Sequence, residues 1–389
     1  MGRRLASAPV HQGGGGGRTI DYEPGLDGLR ALSIVGVLAF HACATSSLGG
    51  WVRGGNLGVS VFFTLSGFLI TSLLVTEHAR SGRIDLARFW TRRIRRLVPA
   101  SLTVVLAVSL LSATSWFDVR AADALAATWS FTNWHVIAGG DARLLQTIVG
   151  PLGPTWSLSV EEQFYVLLAS GVWLATRTRQ PVRAVVIGAT FAVAGSVVLA
   201  NTVSDWSPRL EFGTDVRAAE LAIGCLLAIA VRSGREHLVR RAAAFDTAGL
   251  LAVTGLVVLF LTAGTAPWLL RGGHVLVALV SSAAIVGVLA HRRLHTFASV
   301  PALVAVGRWS YSLYLVHWPV FLVLSPDRTG IDGVALVTVK LVVASAVAIL
   351  LHLAVEQPIR RRQPSTAITV SAWLGTSAVV SVVALVALS

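Results

Sequence analysis

The chain of 389 residues has a composition that excludes a water-soluble globular protein. Hydrophobic residues make up 54% of it and charged residues only 13%, whereas soluble domains contain about 25% charged residues. The mean hydropathy is +0.71. Such a chain cannot cover itself with polar surface, so we expect an integral membrane protein that contacts the lipid bilayer.

The net charge of +13 raises the question of a nucleic-acid partner. The basic residues are 31 Arg and one Lys, Lys340, and they cluster between apolar segments. This distribution is typical of membrane-protein loops, so we predict no nucleic-acid partner. The preference for Arg over Lys, together with the abundance of Ala, Gly and Val, suggests a GC-rich bacterial genome. Cys43 and Cys225 lie in apolar stretches, which favours buried packing over a disulfide.

Residues 1–27 are predicted to form a flexible cytoplasmic tail. They contain five consecutive glycines, and no apolar stretch precedes Asp21, which argues against a cleavable signal peptide. A transmembrane helix needs about 20 apolar residues, and eleven apolar spans follow the tail. These spans are 28–46, 57–76, 98–117, 160–175, 184–201, 216–231, 246–263, 273–290, 302–324, 332–355 and 367–388.

The segment 121–138 is a weaker candidate because it contains Asn133 and His135. If it does not cross, 22 basic residues lie in cytoplasmic loops and seven in outer loops. If the segment does cross the membrane, every later loop moves to the opposite side and the excess of basic residues in cytoplasmic loops is lost. The positive-inside rule therefore predicts that 121–138 is an outer re-entrant or interfacial segment. We predict an all-α, polytopic helical bundle of about ten to eleven transmembrane helices in a bacterial cell (inner) membrane, with the N-terminus in the cytoplasm.

The first span contains two titratable residues, Arg30 and His41, eleven positions apart. Eleven residues make about three helical turns, so the two side chains share a face and lie roughly 16 Å apart along the axis. A charge at this depth usually indicates function. The alternative is that Arg30 extends to the cytoplasmic headgroups and His41 is a hydrogen-bonded core histidine.

Two further segments combine apolar and polar features. Small residues at 58, 60, 64, 66 and 67 in the second span favour close helix packing. The third span follows four arginines, Arg92, Arg93, Arg95 and Arg96. Such a cluster suits a phosphate-rich ligand, although it is also typical of a topology anchor that attracts anionic lipid.

The run 154–165 places Glu161 and Glu162 at the mouth of an apolar span, where carboxylates are costly unless they are used or paired. Adjacent helical residues point about 100° apart, so we expect only one to face a site. A helix N-terminus also tolerates Glu. A later span adds Arg308 and His317.

His291 and His295 have the i, i+4 spacing of metal ligands. They border a loop that has no carboxylate nearby in the sequence, so we predict no metal site there.

Five of these motifs together resemble the bacterial acyltransferase-three family, in the family's order and over residues 21 to about 362. They are 26–30 followed by His41, and the runs 62–70, 89–100, 156–165 and 310–319. The resemblance implies a ten-span helical core, so 28–362 is interpreted as a membrane acyltransferase domain and 363–389 as an additional C-terminal transmembrane helix. It also implies transfer of an acyl group, usually acetyl, from acyl-CoA to a hydroxyl.

Family acceptors include envelope and lipopolysaccharide sugars, Nod factors and macrolide antibiotics. Many glycan-modifying members carry an extracytoplasmic hydrolase-like domain after the spans, whereas this sequence stops at Ser389. We therefore expect a stand-alone member that acylates a macrolide-type antibiotic in secondary metabolism. The alternatives are O-acetylation of a cell-envelope polysaccharide or glycolipid and, outside the enzymes, a transporter, for which inverted repeats would be expected.

The resemblance makes Arg30 and His41 an essential pair, with His41 as general base because imidazole titrates near neutral pH. Glu161 or Glu162 would orient His41 or hold the acceptor. Acyl-CoA is the predicted co-substrate and no cofactor is expected to stay bound. The predicted contacts of its phosphates are Arg92, Arg93, Arg96 and Arg308. The side chains predicted to lie near the acceptor are His317, Ser66 and Trp156. Direct transfer of the acyl group from acyl-CoA to the acceptor is favoured, and an acyl-enzyme formed on Ser66 is the alternative.

Overall fold

The computed structural model describes residues 22–139, 150–203, 207–264, 266–362 and 364–388. Over these residues the protein is all-α, as predicted, and contains eleven long helices. They are α1 (Pro24–Ala44), α2 (Gly58–Ser81), α3 (Leu86–Ala113), α4 (Thr155–Ala175), α5 (Pro181–Thr202), α6 (Thr214–Ser233), α7 (Ala242–Thr262), α8 (His274–Leu289), α9 (Pro301–Val323), α10 (Gly333–Leu351) and α11 (Thr366–Ala387).

Each predicted span corresponds to one long helix. In the described part of the chain, eight helices are long and apolar enough to cross a membrane, which confirms a polytopic membrane bundle. The other three, α4, α6 and α9, carry the ionisable residues discussed below. The segment 121–138 forms two helices of eight residues each, Ala121–Thr128 and Thr132–Gly139. Neither is long enough to cross.

The first helix begins earlier than predicted. Its first residue is Pro24, and the Glu23 side chain caps it by accepting a hydrogen bond from the Gly25 N–H. Proline suits a first helical position because its missing N–H would have no partner there. The predicted tail, residues 1–27, is therefore helical from Pro24 onward, and its residues 1–21 lie outside the described part.

The helices α2 and α6 pack backbone to backbone at two glycines. A Cβ atom at Gly67 would overlap the carbonyl oxygen of Leu221, and one at Gly224 would overlap that of Thr64. Small residues at such positions allow transmembrane helices to approach closely. This contact confirms the packing role predicted for the small residues of the second span.

The predicted cytoplasmic loops meet at one end of the bundle, which we call the basic end. It contains the turn between α2 and α3 and the helix Gln357–Arg362, which both border one cavity. The predicted outer loops meet at the opposite end. There the Ser47 N–H donates to Asp332 Oδ1 at 2.9 Å. This bond and one from the Gly333 N–H hold the pKa of Asp332 below its ordinary value.

The two ends can be distinguished by labelling single cysteines in a variant without Cys43 and Cys225. Ser81→Cys at the basic end and Ser115→Cys at the opposite end are matched changes at exposed sites. With the basic end in the cytoplasm, a membrane-impermeant maleimide applied to intact cells should modify only the cysteine at 115. Both should react after the cells are opened. Equal labelling of the two in intact cells would contradict the eleven-span topology.

Candidate functional site

A cavity of about 1290 Å3 opens at the basic end. Its lining contains ten arginines and five carboxylates, so the cavity is strongly positive overall. The arginines are Arg30, Arg80, Arg83, Arg88, Arg92, Arg93, Arg96, Arg308, Arg360 and Arg361. Guanidinium groups form charge-assisted and often bidentate hydrogen bonds with phosphates. The cavity therefore fits a polyanionic ligand.

The four arginines predicted to bind phosphates all line this cavity. Arg92 lies 3.7 Å from the Glu77 carboxylate, and Arg308 donates to the Tyr22 hydroxyl at 2.9 Å. The guanidinium of Arg93 lies 4.5 Å from the centre of the Tyr165 ring. Arg96 is partly buried in the same wall.

The middle of the cavity carries a polar group of three side chains. Glu161 accepts hydrogen bonds from the hydroxyls of Ser66 and Tyr165. Arg30 lines the same cavity, and among the described residues its Nε has no hydrogen-bond partner. A buried guanidinium N–H without a partner is costly, so this part of the wall is suited to bind an acceptor group of a ligand.

The two adjacent glutamates point in different directions, as the helical geometry predicts. Glu161 faces the cavity, whereas Glu162 accepts a hydrogen bond from the Ser130 hydroxyl, outside the cavity wall. In the described part of the chain, the hydrogen-bond partner of His41 is another histidine and not a glutamate. The structure therefore does not support a glutamate that orients His41, whereas the alternative, that a glutamate holds the acceptor, stays a prediction.

His41 forms a pair with His317 of α9. Its Nδ1 lies 3.1 Å from His317 Nε2. The Nδ1 of His317 faces two carbonyl oxygens, Tyr314 O at 2.7 Å and Leu313 O at 3.2 Å. A ring nitrogen between carbonyls must carry a proton, so the hydrogen-bond network assigns a lone pair to His317 Nε2. His41 then donates from Nδ1, which leaves the lone pair of its Nε2 free to act as a base.

The inner end of the cavity adjoins this pair through Tyr314. The Tyr314 side chain lines the cavity, and its ring centre lies 5.5 Å from that of His317. Its hydroxyl is 2.6 Å from Ser157 Oγ. His41 itself is only partly buried and is not part of the cavity lining. The cavity thus ends beside the pair, and Tyr314 lies between them.

Trp156 does not line the cavity but supports its inner wall. Its ring packs edge-on against Phe63, which does line the cavity, with 6.3 Å between ring centres. Trp156 therefore acts through Phe63 in this structure and does not contact the cavity directly.

Behind Phe63 lies a buried ion pair that the sequence analysis missed. Arg217 stands at the start of the predicted span 216–231 and is one of the seven basic residues assigned to outer loops, but it lies in α6 and is almost fully buried. Its guanidinium bonds Glu220 through Nε and Nη2, at 2.7 and 3.1 Å, and Ser60 Oγ lies 3.2 Å from Nη2. The i, i+3 spacing of Arg217 and Glu220 was the signal that could have revealed the pair.

A second missed group surrounds Glu356. Its carboxylate accepts hydrogen bonds from Arg360, Ser312 and His352, at 3.1, 3.1 and 2.9 Å. Glu356 ends a π-helical turn, His352–Glu356, that follows α10. Such turns often mark functional sites, and His352 and Arg360 both line the cavity. The segment is thus part of the cavity wall.

The prediction that His291 and His295 lack a carboxylate partner is also wrong. Glu23 Oε1 lies 2.8 Å from His295 Nε2. The partner was missed because it is more than 260 positions earlier in the chain.

Comparison with known proteins places the chain in a family. A family model described as an acyltransferase domain matches residues 23–354. The chain belongs to this acyltransferase family. No solved structure is significantly similar to the chain.

Its curated relatives include staphylococcal O-acetyltransferases. The chain is 31% identical over 355 residues to O-acetyltransferase OatA of Staphylococcus aureus (strain NCTC 8325 / PS 47), with 88% of this chain and 58% of that protein covered. It is 32% identical over 313 residues to putative O-acetyltransferase SAS0844 of S. aureus (strain MSSA476), covering 77% of this chain and 50% of that protein. The chain therefore spans about half the length of these relatives, 50% to 58%.

Removing the carboxylate of the buried ion pair should destabilise the protein strongly. Glu220→Gln leaves the buried Arg217 charge without its partner, which typically costs about 3–5 kcal/mol. The matched control is Asp215→Asn, which breaks a partly exposed pair with Arg209 and should cost less than about 1 kcal/mol. Thermal denaturation of the two variants in the same detergent compares them. Equal melting temperatures would show that the buried pair does not stabilise the fold.

Proposed function

We propose that the protein transfers an acetyl group from acetyl-CoA in the cytoplasm to a hydroxyl of a cell-envelope polysaccharide or glycolipid on the other side of the bacterial cytoplasmic membrane. The observation that carries this proposal is the order of the groups along α1 and α9. A basic cavity opens at one end and stops beside a histidine pair nearer the opposite end.

The donor assignment rests on charge. Acyl-CoA carries its phosphates at one end and its thioester at the other, joined by a flexible arm. The arginine-lined mouth suits the phosphates, and the cavity is also lined by the apolar and hydroxyl-bearing residues Val59, Phe63 and Ser157. The arm is comparable in length to the distance between Arg30 and His41. A donor bound this way enters from the basic end, which the positive-inside rule places in the cytoplasm.

His41 is the proposed general base. Its Nε2 takes the proton of the acceptor hydroxyl while the oxygen attacks the thioester carbonyl carbon. The C–S bond then breaks, and the imidazolium returns the proton to the departing thiolate. The products are an acetyl ester and free CoA, so no external reductant or oxidant is needed. His317 holds His41 in the reactive tautomer, as the hydrogen-bond network at its Nδ1 indicates.

An envelope acceptor is preferred to an antibiotic. The relatives are named O-acetyltransferases, and nothing among them supports the macrolide acceptor that we first expected. A histidine pair nearer the opposite end favours an acceptor that approaches from outside the cytoplasm. Glycans of the envelope offer many such hydroxyls. A transporter is disfavoured because the family is one of acyltransferases.

Replacing His41 should abolish turnover without abolishing donor binding. His41→Gln keeps polarity and approximate size but cannot take up the proton, so we expect the rate to fall by about two to four orders of magnitude. The assay is transfer of label from radioactive acetyl-CoA to base-labile esters on envelope glycan in inside-out membrane vesicles. The control His237→Gln, at an exposed histidine of the helix Arg235–Arg240, should keep full activity.

Full activity per folded molecule in His41→Gln would refute the base assignment. Absence of labelled glycan with the unaltered protein, together with labelling of another added acceptor, would refute the envelope acceptor but retain the acetyl-CoA donor.

Changing an arginine of the cavity wall should weaken donor use selectively. Charge-assisted hydrogen bonds contribute about 1.5–3 kcal/mol, so Arg93→Ala should raise the KM for acetyl-CoA roughly ten- to a hundredfold. Arg96→Ala, which does not disturb the Tyr165 ring, is a second test. The control is Arg240→Ala, at an exposed position outside the cavity. An unchanged KM in both cavity variants would leave only the topology-anchor interpretation of this cluster.

A further inference from the structure

Three potential metal ligands meet at the basic end, outside the acyl-transfer groups. They are Glu23, which precedes α1, and His291 and His295, which lie at the turn after α8 and in the helix Arg293–Ala298. Their ligand atoms all lie within 4.8 Å of one another. Glu23 Oε1 is 2.8 Å from His295 Nε2, and Glu23 Oε2 is 3.6 Å from His291 Nε2.

These separations fit a tetrahedral zinc ion. Zn2+ binds histidine nitrogens and carboxylate oxygens at about 2.0–2.2 Å, so its ligand atoms lie about 3.4 Å apart. The separations that the Glu23 carboxylate makes with the two Nε2 atoms, one through each of its oxygens, fall on either side of this value. Two imidazoles and one carboxylate form a common zinc ligand set, which leaves one coordination position open. Calcium and magnesium prefer oxygen ligands, so this set disfavours them.

The backbone of His291 supports a binding role. Its φ angle is +52°, a left-handed backbone conformation that residues other than glycine rarely adopt. Residues held in this conformation cluster at functional sites. A hydrogen bond to Glu23 alone would account for His295, which is largely buried. It does not account for His291, whose side chain is 61% exposed and yet turns toward the same carboxylate, with 4.7 Å between the two histidine ring centres.

We propose that Glu23, His291 and His295 bind one Zn2+ ion through the Glu23 carboxylate and the two Nε2 atoms, with a water molecule at the fourth position. The ion links the start of α1 to the turn between α8 and α9. Glu23 also lines the mouth of the cavity, so the ion adds positive charge where the polyanionic ligand enters. This proposal does not depend on the identity of the acyl donor or acceptor.

The test measures zinc binding by the full chain, purified in detergent with an affinity tag that lacks histidine. After treatment with a chelator and its removal, the protein is dialysed against Zn2+ alone, and bound metal is measured by mass spectrometry. We expect one zinc per chain, lost in His291→Ala and in His295→Ala. His237→Ala removes another exposed histidine and should retain the zinc. Gel filtration establishes that each variant is folded.

Two further measurements distinguish a specific site from loose binding. Zn2+ should raise the melting temperature of the unaltered protein but not that of His291→Ala. Co2+ in place of Zn2+ should give the visible absorption of a tetrahedral ion, and this absorption should be lost in Glu23→Gln. The proposal is overturned if the unaltered protein binds less than a stoichiometric amount of zinc, or if folded His291→Ala binds as much as the unaltered protein.

Discussion

The cost of placing charge in hydrocarbon determines much of this structure. An ionisable side chain within a membrane bundle must be paired, hydrogen-bonded or directed into a polar cavity. The protein uses all three solutions. Arg217 and Glu220 neutralise each other, Lys340 donates to the Thr45 carbonyl and hydroxyl oxygens at 2.7 Å, and Arg30 lines the cavity. The ion pair and the Lys340 hydrogen bonds stabilise the bundle, whereas Arg30 remains available to a ligand.

Under the proposed function, the same constraint separates donor binding from chemistry. The arginines line the cavity at the basic end of the bundle, where a charged ligand would enter from water. The histidine pair lies deeper, where neutral imidazoles are tolerated and where His317 fixes the tautomer of His41. In the proposed mechanism, the chain therefore combines a charged donor-binding surface near one face of the membrane with a histidine base deeper in the bundle.

Local sequence signals predicted the architecture well. Eleven apolar spans corresponded to eleven long helices, and the excess of basic residues in alternate loops identified 121–138 as a segment that does not cross. Both signals are local, because hydropathy depends on about 20 consecutive residues. The boundary of α1 was less well predicted, because capping by Glu23 and the proline at the first position extend the helix beyond its apolar part.

The sequence by itself determined the fold class, the helices and the chemical types gathered in each motif, including Arg30, His41 and the arginine cluster after α2. Only the tertiary structure decided which side chains meet. The partner of His41 is 276 positions away, the glutamate expected beside it bonds Ser66 instead, and Arg217 is buried inside the bundle. Helical periodicity fixes the face on which a side chain lies, whereas its partner depends on how distant helices pack against one another.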